Sequence, residues 1–270
     1  MKIGLIVPHS GNIENELEKV RAFGFDCCQI QCWSPALLTD EYADQIRALL
    51  SEKGITMSTF WCGWSGPSTW NFYDGPVTLG LIPDAYREQR VKELKRGAEF
   101  AARMGAKQMA THAGFLPEDP NQPIYPVVVE ALREIAEHAK ACGVSFLFET
   151  GQETPTTLKR VMDDIGTDNL GVNFDPANLL LYGKANPIDA LKILGPHIMD
   201  VHAKDGEYPT DGKSLGRETK LGEGLVDFPR LIGYLKERGY DGAITIEREI
   251  SGERQIADIR HAKALLEALI

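Results

Sequence analysis

Ala141-Cys142-Gly143-Val144-Ser145-Phe146-Leu147-Phe148-Glu149 reads as the end of a helix, a glycine stop, a short apolar strand and, at the strand's end, a carboxylate. Glycine leaves a helix through a left-handed conformation at the least cost. A run so short and so apolar fits a strand buried on both faces, as in a parallel sheet. The cadence recurs on either side. Arg21-Ala22-Phe23-Gly24 precedes Cys27 to Trp33, Glu52-Lys53-Gly54 precedes Thr56 to Trp61, and Glu237-Arg238-Gly239 precedes Ala243 to Glu247. Lys2 to Val7, Gln108 to His112, Gly171 to Asp175 and Ile198 to His202 complete a set of eight strand-like runs, each followed by a helical candidate.

The intervening stretches carry helical periodicity. Over Asp84 to Met104, Val91, Leu94, Ala98, Ala101 and Ala102 fall on one side, and Lys92, Glu93, Arg96, Glu99 and Arg103 on the other. Arg254 to Leu269 repeats the pattern with Ile256, Ile259, Ala262, Leu265, Leu266 and Leu269. Strand and helix alternating eight times predict an α/β fold, a (β/α)₈ TIM barrel formed by residues 1–270 as a single domain.

Composition narrows the partners. The 270 residues hold 29 Lys and Arg against 39 Asp and Glu, a formal charge of −10. Such a balance argues against gripping a nucleic-acid backbone, which needs clustered cations to displace counterions. No stretch reaches the ~18 apolar residues of a membrane span, and the apolar start Lys2 to Val7 runs into Pro8-His9 rather than a cleavage site. The five cysteines are odd in number and form no disulfide or zinc framework, which suits a reducing cytoplasm. A small molecule is the expected partner.

In such a barrel the active site is built at the carboxyl ends of the strands. The last four strands end in chemistry: Phe148-Glu149, Phe174-Asp175, Val201-His202 and Ile246-Glu247. Each alone has a plain structural explanation, as a solvated strand end or, for Asp175 before Pro176, the start of a turn. Together they would set three carboxylates and an imidazole at one rim, an arrangement that repels itself unless protons or a cation intervene. One divalent metal is the simplest remedy, and the carboxylate-rich set favours Mn²⁺ or Mg²⁺ while allowing Co²⁺ or Zn²⁺.

Phe148-Glu149-Thr150-Gly151, Asn173-Phe174-Asp175-Pro176-Ala177-Asn178, Asp200-Val201-His202-Ala203-Lys204-Asp205, Ile246-Glu247 and the turn Gly222-Glu223-Gly224-Leu225-Val226-Asp227-Phe228 follow one another at barrel spacing. In that order they resemble the xylose-isomerase-like TIM barrel superfamily over nearly the whole chain. The resemblance implies one metal held by Glu149, Asp175, His202 and Glu247. It also implies a keto-sugar or polyol chelated through adjacent oxygens, with the two glutamates as acid and base on opposite faces, as in the superfamily's ketose 3-epimerases. Those epimerases and the superfamily's repair endonucleases carry His three residues after the aspartate, where this chain has Asn178. Asn can hydrogen-bond a hydroxyl but does not titrate near neutral pH.

His112, Asn178, Lys204 and Trp70 are the expected substrate contacts. His112 ends the fourth strand beside Glu149, and Lys204 lies two residues beyond His202. An ion pair of Lys204 with Asp205 or Glu223 is the structural alternative. His9 is a weaker candidate, whereas His138, His197 and His261 read as surface or helix residues. The connection Cys62 to Pro83 holds Trp64, Trp70, Phe72 and Tyr73, as a pocket wall or lid or, equally well, as a contact between subunits. Gly206 to Leu221 is a second long loop. The expected function is a metal-dependent sugar isomerase or epimerase working through an enediolate. A cyclic-polyol (inosose-type) dehydratase is the alternative within the superfamily, and a non-catalytic sugar-binding protein the alternative outside enzymology.

Overall fold

The computed structural model describes residues 1–270. Its strands are β1 (Lys2–Pro8), β2 (Cys27–Cys32), β3 (Thr56–Cys62), β4 (Gln108–Thr111), β5 (Ser145–Glu149), β6 (Leu170–Phe174), β7 (Ile198–Ala203), β8 (Asp205–Glu207), β9 (Arg217–Thr219) and β10 (Ala243–Ile246). β1 to β7 and β10 close into a barrel of parallel strands, with β10 between β7 and β1. The eight predicted runs match these strands to within a residue at each end. The expected loop Gly206 to Leu221 is partly ordered instead: β8 and β9 form an antiparallel ribbon pairing Asp205 with Thr219 and Glu207 with Arg217. Such a short ribbon has too few alternating apolar positions to be legible in the sequence.

Side-chain alternation divides each strand between two environments. Phe146 and Phe148 of β5, Val172 and Phe174 of β6, and Val201 and Ala203 of β7 join a core of 63 buried residues shared with the surrounding helices. Their neighbours Leu147, Asn173, Asp200 and His202 are buried away from that core, in the barrel interior. A smaller cluster of Trp61, Trp64, Leu79, Ala110 and Leu147 fills part of the interior. The predicted helix stops are real: Gly54 ends the helix Asp40–Lys53 at φ 61°, and Gly24, Gly143 and Gly239 also have positive φ. No helix is long and apolar enough to cross a membrane.

The aromatic connection after β3 is tied down by one residue. Arg90, in the helix Asp84–Met104, is fully buried. It donates to the carbonyls of Ser65 (3.1 Å), Pro67 (2.9 Å), Thr78 (2.7 Å) and Gly80 (2.6 Å). Its guanidinium also lies 5.2 Å from the Trp64 ring and 5.0 Å from that of Tyr86. One rigid, planar donor group thus satisfies four carbonyls of a connection with little regular structure. Lysine cannot reach them all. Arg90→Lys should cost roughly 3 kcal/mol, on the scale of losing charge-assisted hydrogen bonds, and should raise amide exchange across residues 65–80 with the barrel strands still protected. Unchanged exchange in that segment would show that the loop holds without Arg90.

Candidate metal centre and cavity

β5, β6, β7 and β10 are consecutive around the barrel, and each delivers one group to the same rim. Glu149 is the last residue of β5, Asp175 directly follows β6, His202 is in β7 and Glu247 directly follows β10. One ligand atom from each lies within 4.8 Å of all the others. His202 Nδ1 stands 3.1 Å from Glu247 Oε2, 3.4 Å from Glu149 Oε1 and 3.6 Å from Asp175 Oδ2. All four residues are buried or nearly so, Glu247 being the most open with 11% of its side chain exposed.

Each group is held differently. Glu149 is fixed on several sides: Trp61 Nε1 donates to its Oε2, Asn178 Nδ2 donates to its Oε1 at 3.2 Å, and His112 Nε2 stands 3.4 Å from Oε1. Asp175 is both turn residue and site residue. Its Oδ1 accepts from the Asn178 backbone N–H at 2.9 Å, capping the helix Pro176–Leu181, while its Oδ2 faces the centre. His202 Nε2 lies 2.7 Å from Gln29 Oε1. Gln29 is itself oriented by Asp200, whose Oδ2 accepts from its Nε2 at 3.2 Å and from Thr59 at 2.6 Å. Gln29 Oε1 at 2.7 Å and Asn173 Nδ2 at 3.0 Å both face Nε2, while Nδ1 is turned toward the carboxylates.

Asp175 Oδ2, His202 Nδ1 and Glu247 Oε2 are buried without a hydrogen-bond partner. They are the atoms that face one another. An oxygen-rich set with one imidazole, orphaned and convergent, fits a divalent cation. Without one, the set shares protons. Burial would depress His202, but Glu149 and Glu247 outweigh it and hold the imidazole well above its ordinary value. Burial pushes Glu247 up, yet Lys204 and His202 bring it down to about 2. Burial likewise opposes, and His112 and His202 overcome, to hold Glu149 well below the usual carboxylate range. Asp175 is raised, chiefly by burial.

The centre opens onto a cavity of about 540 Å³ lined by all the expected substrate contacts, His112, Asn178, Lys204 and Trp70. Asn178 bridges Glu149 and Lys204, accepting from Lys204 Nζ at 3.4 Å. Lys204 pairs with neither Asp205 nor Glu223. It lies 2.9 Å from Glu249 and 3.3 Å from Glu247, because the chain leaves β7 with Lys204 still directed at the rim. Asp205 instead clamps the turn that leads into the helix Phe228–Glu237, accepting from Gly206 (2.8 Å), Gly222 (2.9 Å), Gly224 (3.0 Å) and Val226 (3.0 Å). The two motifs that share Asp205 and Gly224 are therefore one structure, and a Cβ at Gly224 would collide with the Asp205 carboxylate. Of the four loop aromatics only Trp70 lines the cavity; Trp64 is buried against Arg90 and Tyr73 is exposed. Trp33 and Trp61, at the ends of β2 and β3, complete the wall. His9 is structural, buried between the rings of Tyr42 and Phe100. A groove of about 590 Å³ outside the barrel, against β1 and the helix Glu253–Leu269, is lined mainly by apolar side chains and contains none of the four clustered groups.

A closed parallel barrel with a carboxylate-imidazole cluster at one rim of its strands defines a (β/α)₈ barrel with a candidate metal centre. A model of the xylose isomerase-like TIM barrel family matches residues 17–269, and the chain belongs to that family. It is similar to a xylose isomerase domain protein from Planctomyces limnophilus: the crystal structure matches with a TM-score of 0.93 at 34% identity, covering 99% of this chain and 96% of that one. A D-tagatose 3-epimerase-like protein has the same fold, with a TM-score of 0.76 at 24% identity over 100% of this chain and 97% of its own. An inosose dehydratase from Lacticaseibacillus casei is 27% identical over 134 residues, 44% of this chain and 45% of its own.

Glu153, buried just behind the cavity wall, was not foreseen from the sequence. Burial pushes its carboxyl up to about 7 from an ordinary 4.5, against the pull of His112. The folded protein thus binds the proton more tightly than the unfolded chain, and stability falls as pH rises from about 4.5 to about 7, then levels. Glu153→Gln removes this dependence. Denaturant unfolding at pH 5 and pH 8 should show the variant gaining on the wild type at the higher pH, by at most ~3 kcal/mol. A pH-independent difference would mean that Glu153 does not titrate there.

Proposed function

We propose that the protein is a divalent-metal-dependent isomerase or epimerase of a keto-sugar or related carbohydrate. The observation that carries this reading is that Glu149 and Glu247 reach the orphaned Asp175 and His202 atoms from β5 and β10, at the two ends of the four-strand arc, and both line the cavity. Glu149, Asp175, His202 and Glu247 would hold the cation. Bound there, it would polarise adjacent carbonyl and hydroxyl oxygens of a substrate and acidify the neighbouring C–H bond. Glu149 and Glu247, both ionised, are then two bases presented to two faces of one carbon skeleton. A base on each face gives epimerisation, whereas one base returning the proton to the adjacent carbon gives isomerisation. His112, against Glu149, and Lys204, against Glu247, stabilise negative charge developing on substrate oxygen. The aromatic wall and buried rim keep bulk water off the reacting carbon.

One observation favours a second reading. Lys204 brings a buried ammonium beside Glu247 and onto the cavity, where it could protonate a departing β-hydroxyl after the same proton abstraction, giving a dehydratase. Proton NMR of candidate keto-sugars and inososes in D₂O separates the two. Deuterium incorporation with inversion identifies an epimerase, and loss of water to an enone identifies a dehydratase.

Two outcomes test the centre itself. His202→Ala and Asp175→Ala should each weaken Mn²⁺ binding by at least tenfold with the fold intact by circular dichroism. Because the raised His202 must shed its proton to coordinate, affinity should rise with pH below that group's folded-state pKa, with proton release visible by calorimetry in buffers of different ionisation enthalpy. Equal Mn²⁺ affinity in both variants and the wild type would overturn the ligand set. For mechanism, Glu149→Gln and Glu247→Gln, assayed with Mn²⁺ in excess, should each abolish turnover while still exchanging solvent deuterium into one epimer, since one face keeps its carboxylate. Near-full turnover in either variant would exclude the two-base scheme.

A further inference from the structure

Gln152 and Tyr182 line the cavity beyond the four clustered groups, and both are buried, at 1% and 5% exposure. The Gln152 amide stands beside the Tyr182 phenol, close enough to favour the phenolate but outside hydrogen-bonding geometry. Even so, Gln152 Oε1, Gln152 Nε2 and Tyr182 Oη have no hydrogen-bond partner. A buried primary amide and a buried phenol left open cost stability that an apolar pair of the same shape would not. Both present neutral groups that donate and accept, the pairing that a hydroxyl satisfies.

The charges lining the same cavity are already matched. Lys204 is held by Glu249 and Glu247. Arg248 is 2.9 Å from both Glu218 and Asp258, and its side chain is 7% exposed. The remaining charges facing the space are the carboxylates of Glu149, Glu247 and Glu249. His112, the other cation on the wall, stands 3.4 Å from Glu149, so a phosphoryl or carboxylate group would meet no Lys, Arg or His without a carboxylate partner, and several like charges. Trp33 and Trp70, edge to face at 5.9 Å and each about two-fifths exposed, add an apolar surface suited to C–H faces.

We infer that Gln152 and Tyr182 form a hydroxyl-reading subsite and that the cavity takes an uncharged polyhydroxylated substrate, a free keto-sugar or cyclitol rather than a sugar phosphate or sugar acid. The inference rests on the proposed sugar-processing function and names the substrate class of that site. Gln152 and Tyr182 determine specificity at a distance from the reacting carbon. Their substitution therefore has a signature that a structural role lacks: Gln152→Leu and Tyr182→Phe each remove an unsatisfied buried group, so the free protein should melt at the same temperature or higher, while ligand binding weakens.

The test is calorimetric titration of the full-length protein with Mn²⁺ present, using D-fructose, D-psicose, D-tagatose and myo-inositol as uncharged probes and D-fructose 6-phosphate and D-gluconate as anionic ones. At least one uncharged probe should bind the wild type, more tightly than either anion. Each variant should weaken that binding by about tenfold, the scale of one or two lost hydrogen bonds, at unchanged Mn²⁺ affinity. Unaltered binding in both variants, melting temperatures that fall in parallel with affinity, tighter binding of an anion, or binding of no uncharged probe would each overturn the inference. Tyr182→Phe, nearly isosteric, decides the matter should Gln152→Leu fail to fold. Repeating the wild-type titration in EDTA tests the underlying reading separately: equal binding without Mn²⁺ would remove the metal from sugar recognition and leave the subsite standing.

Discussion

Three carboxylates and an imidazole nitrogen share a buried space in which the separations from His202 Nδ1 are 3.1 to 3.6 Å. One ligand atom from each carboxylate lies within 4.8 Å of the others, and at that range in a poorly solvated interior like charges repel by several kcal/mol. A fold that brings these groups together must therefore supply protons, a cation, or both. The polar groups around the cluster act within that constraint. His112 and His202 lie against Glu149, and Lys204 lies between Glu247, Glu249 and Asp175. The barrel contributes by bringing one group from each of four neighbouring strands to a common rim, so that no long side chain has to be ordered at large entropic cost to reach the centre.

Repulsion has to be resisted by the scaffold as well as compensated. Glu149 is anchored by Trp61, Asn178 and His112, Asp175 by the helix it caps, and His202 by the run from Thr59 and Asp200 through Gln29. These anchors lie in the barrel interior or on the strand ends, the most rigid parts of the fold. The chain beyond β7 is held in the same manner, since Asp205 gathers four backbone N–H groups and so fixes where Lys204 emerges. Arg90 does the corresponding work for the connection that carries Trp70.

The barrel strands and the four clustered residues were legible because they depend on local pattern: apolar runs, glycine stops, and a polar residue where an apolar run ends. What the sequence left hidden depends on contacts between distant segments. Gln29 is one of two glutamines in β2, and only its 173-residue-distant partner His202 gives it meaning. Arg90 lies on the buried side of its helix, and the carbonyls that claim it belong to the preceding connection, which the helix's own periodicity does not reveal. Trp33 and Trp61 sit at strand ends where aromatic residues are equally at home in a core, and only the cavity distinguishes them. Lys204 lines the cavity, but Glu249, its nearest partner, lies past the end of β10, where no strand or helix pattern places it. The aromatic connection divides its rings: its density suggested a pocket wall or lid or a subunit contact, and Trp70 lines the cavity while Trp64 is consumed in fixing the loop against Arg90.

The two glutamates at the ends of the arc are not equivalent. Glu149 is gripped by neutral donors and a histidine, so its carboxylate is fixed in direction. Glu247 has an orphaned oxygen, a partly open side chain and an ammonium neighbour that also touches Glu249, whose side chain is 59% exposed. A continuous set of charged groups therefore runs from solvent through Glu249 and Lys204 directly to Glu247, and reaches Glu149 only one step further in, through His202. On the proposed chemistry, the Glu247 side exchanges protons with water faster than the Glu149 side and can deliver one to a leaving group. Epimerisation needs a base on each face, and dehydration needs an acid beside one of them. The asymmetry of these two environments, more than the identity of the four clustered residues, is what would set one outcome apart from the other in this barrel.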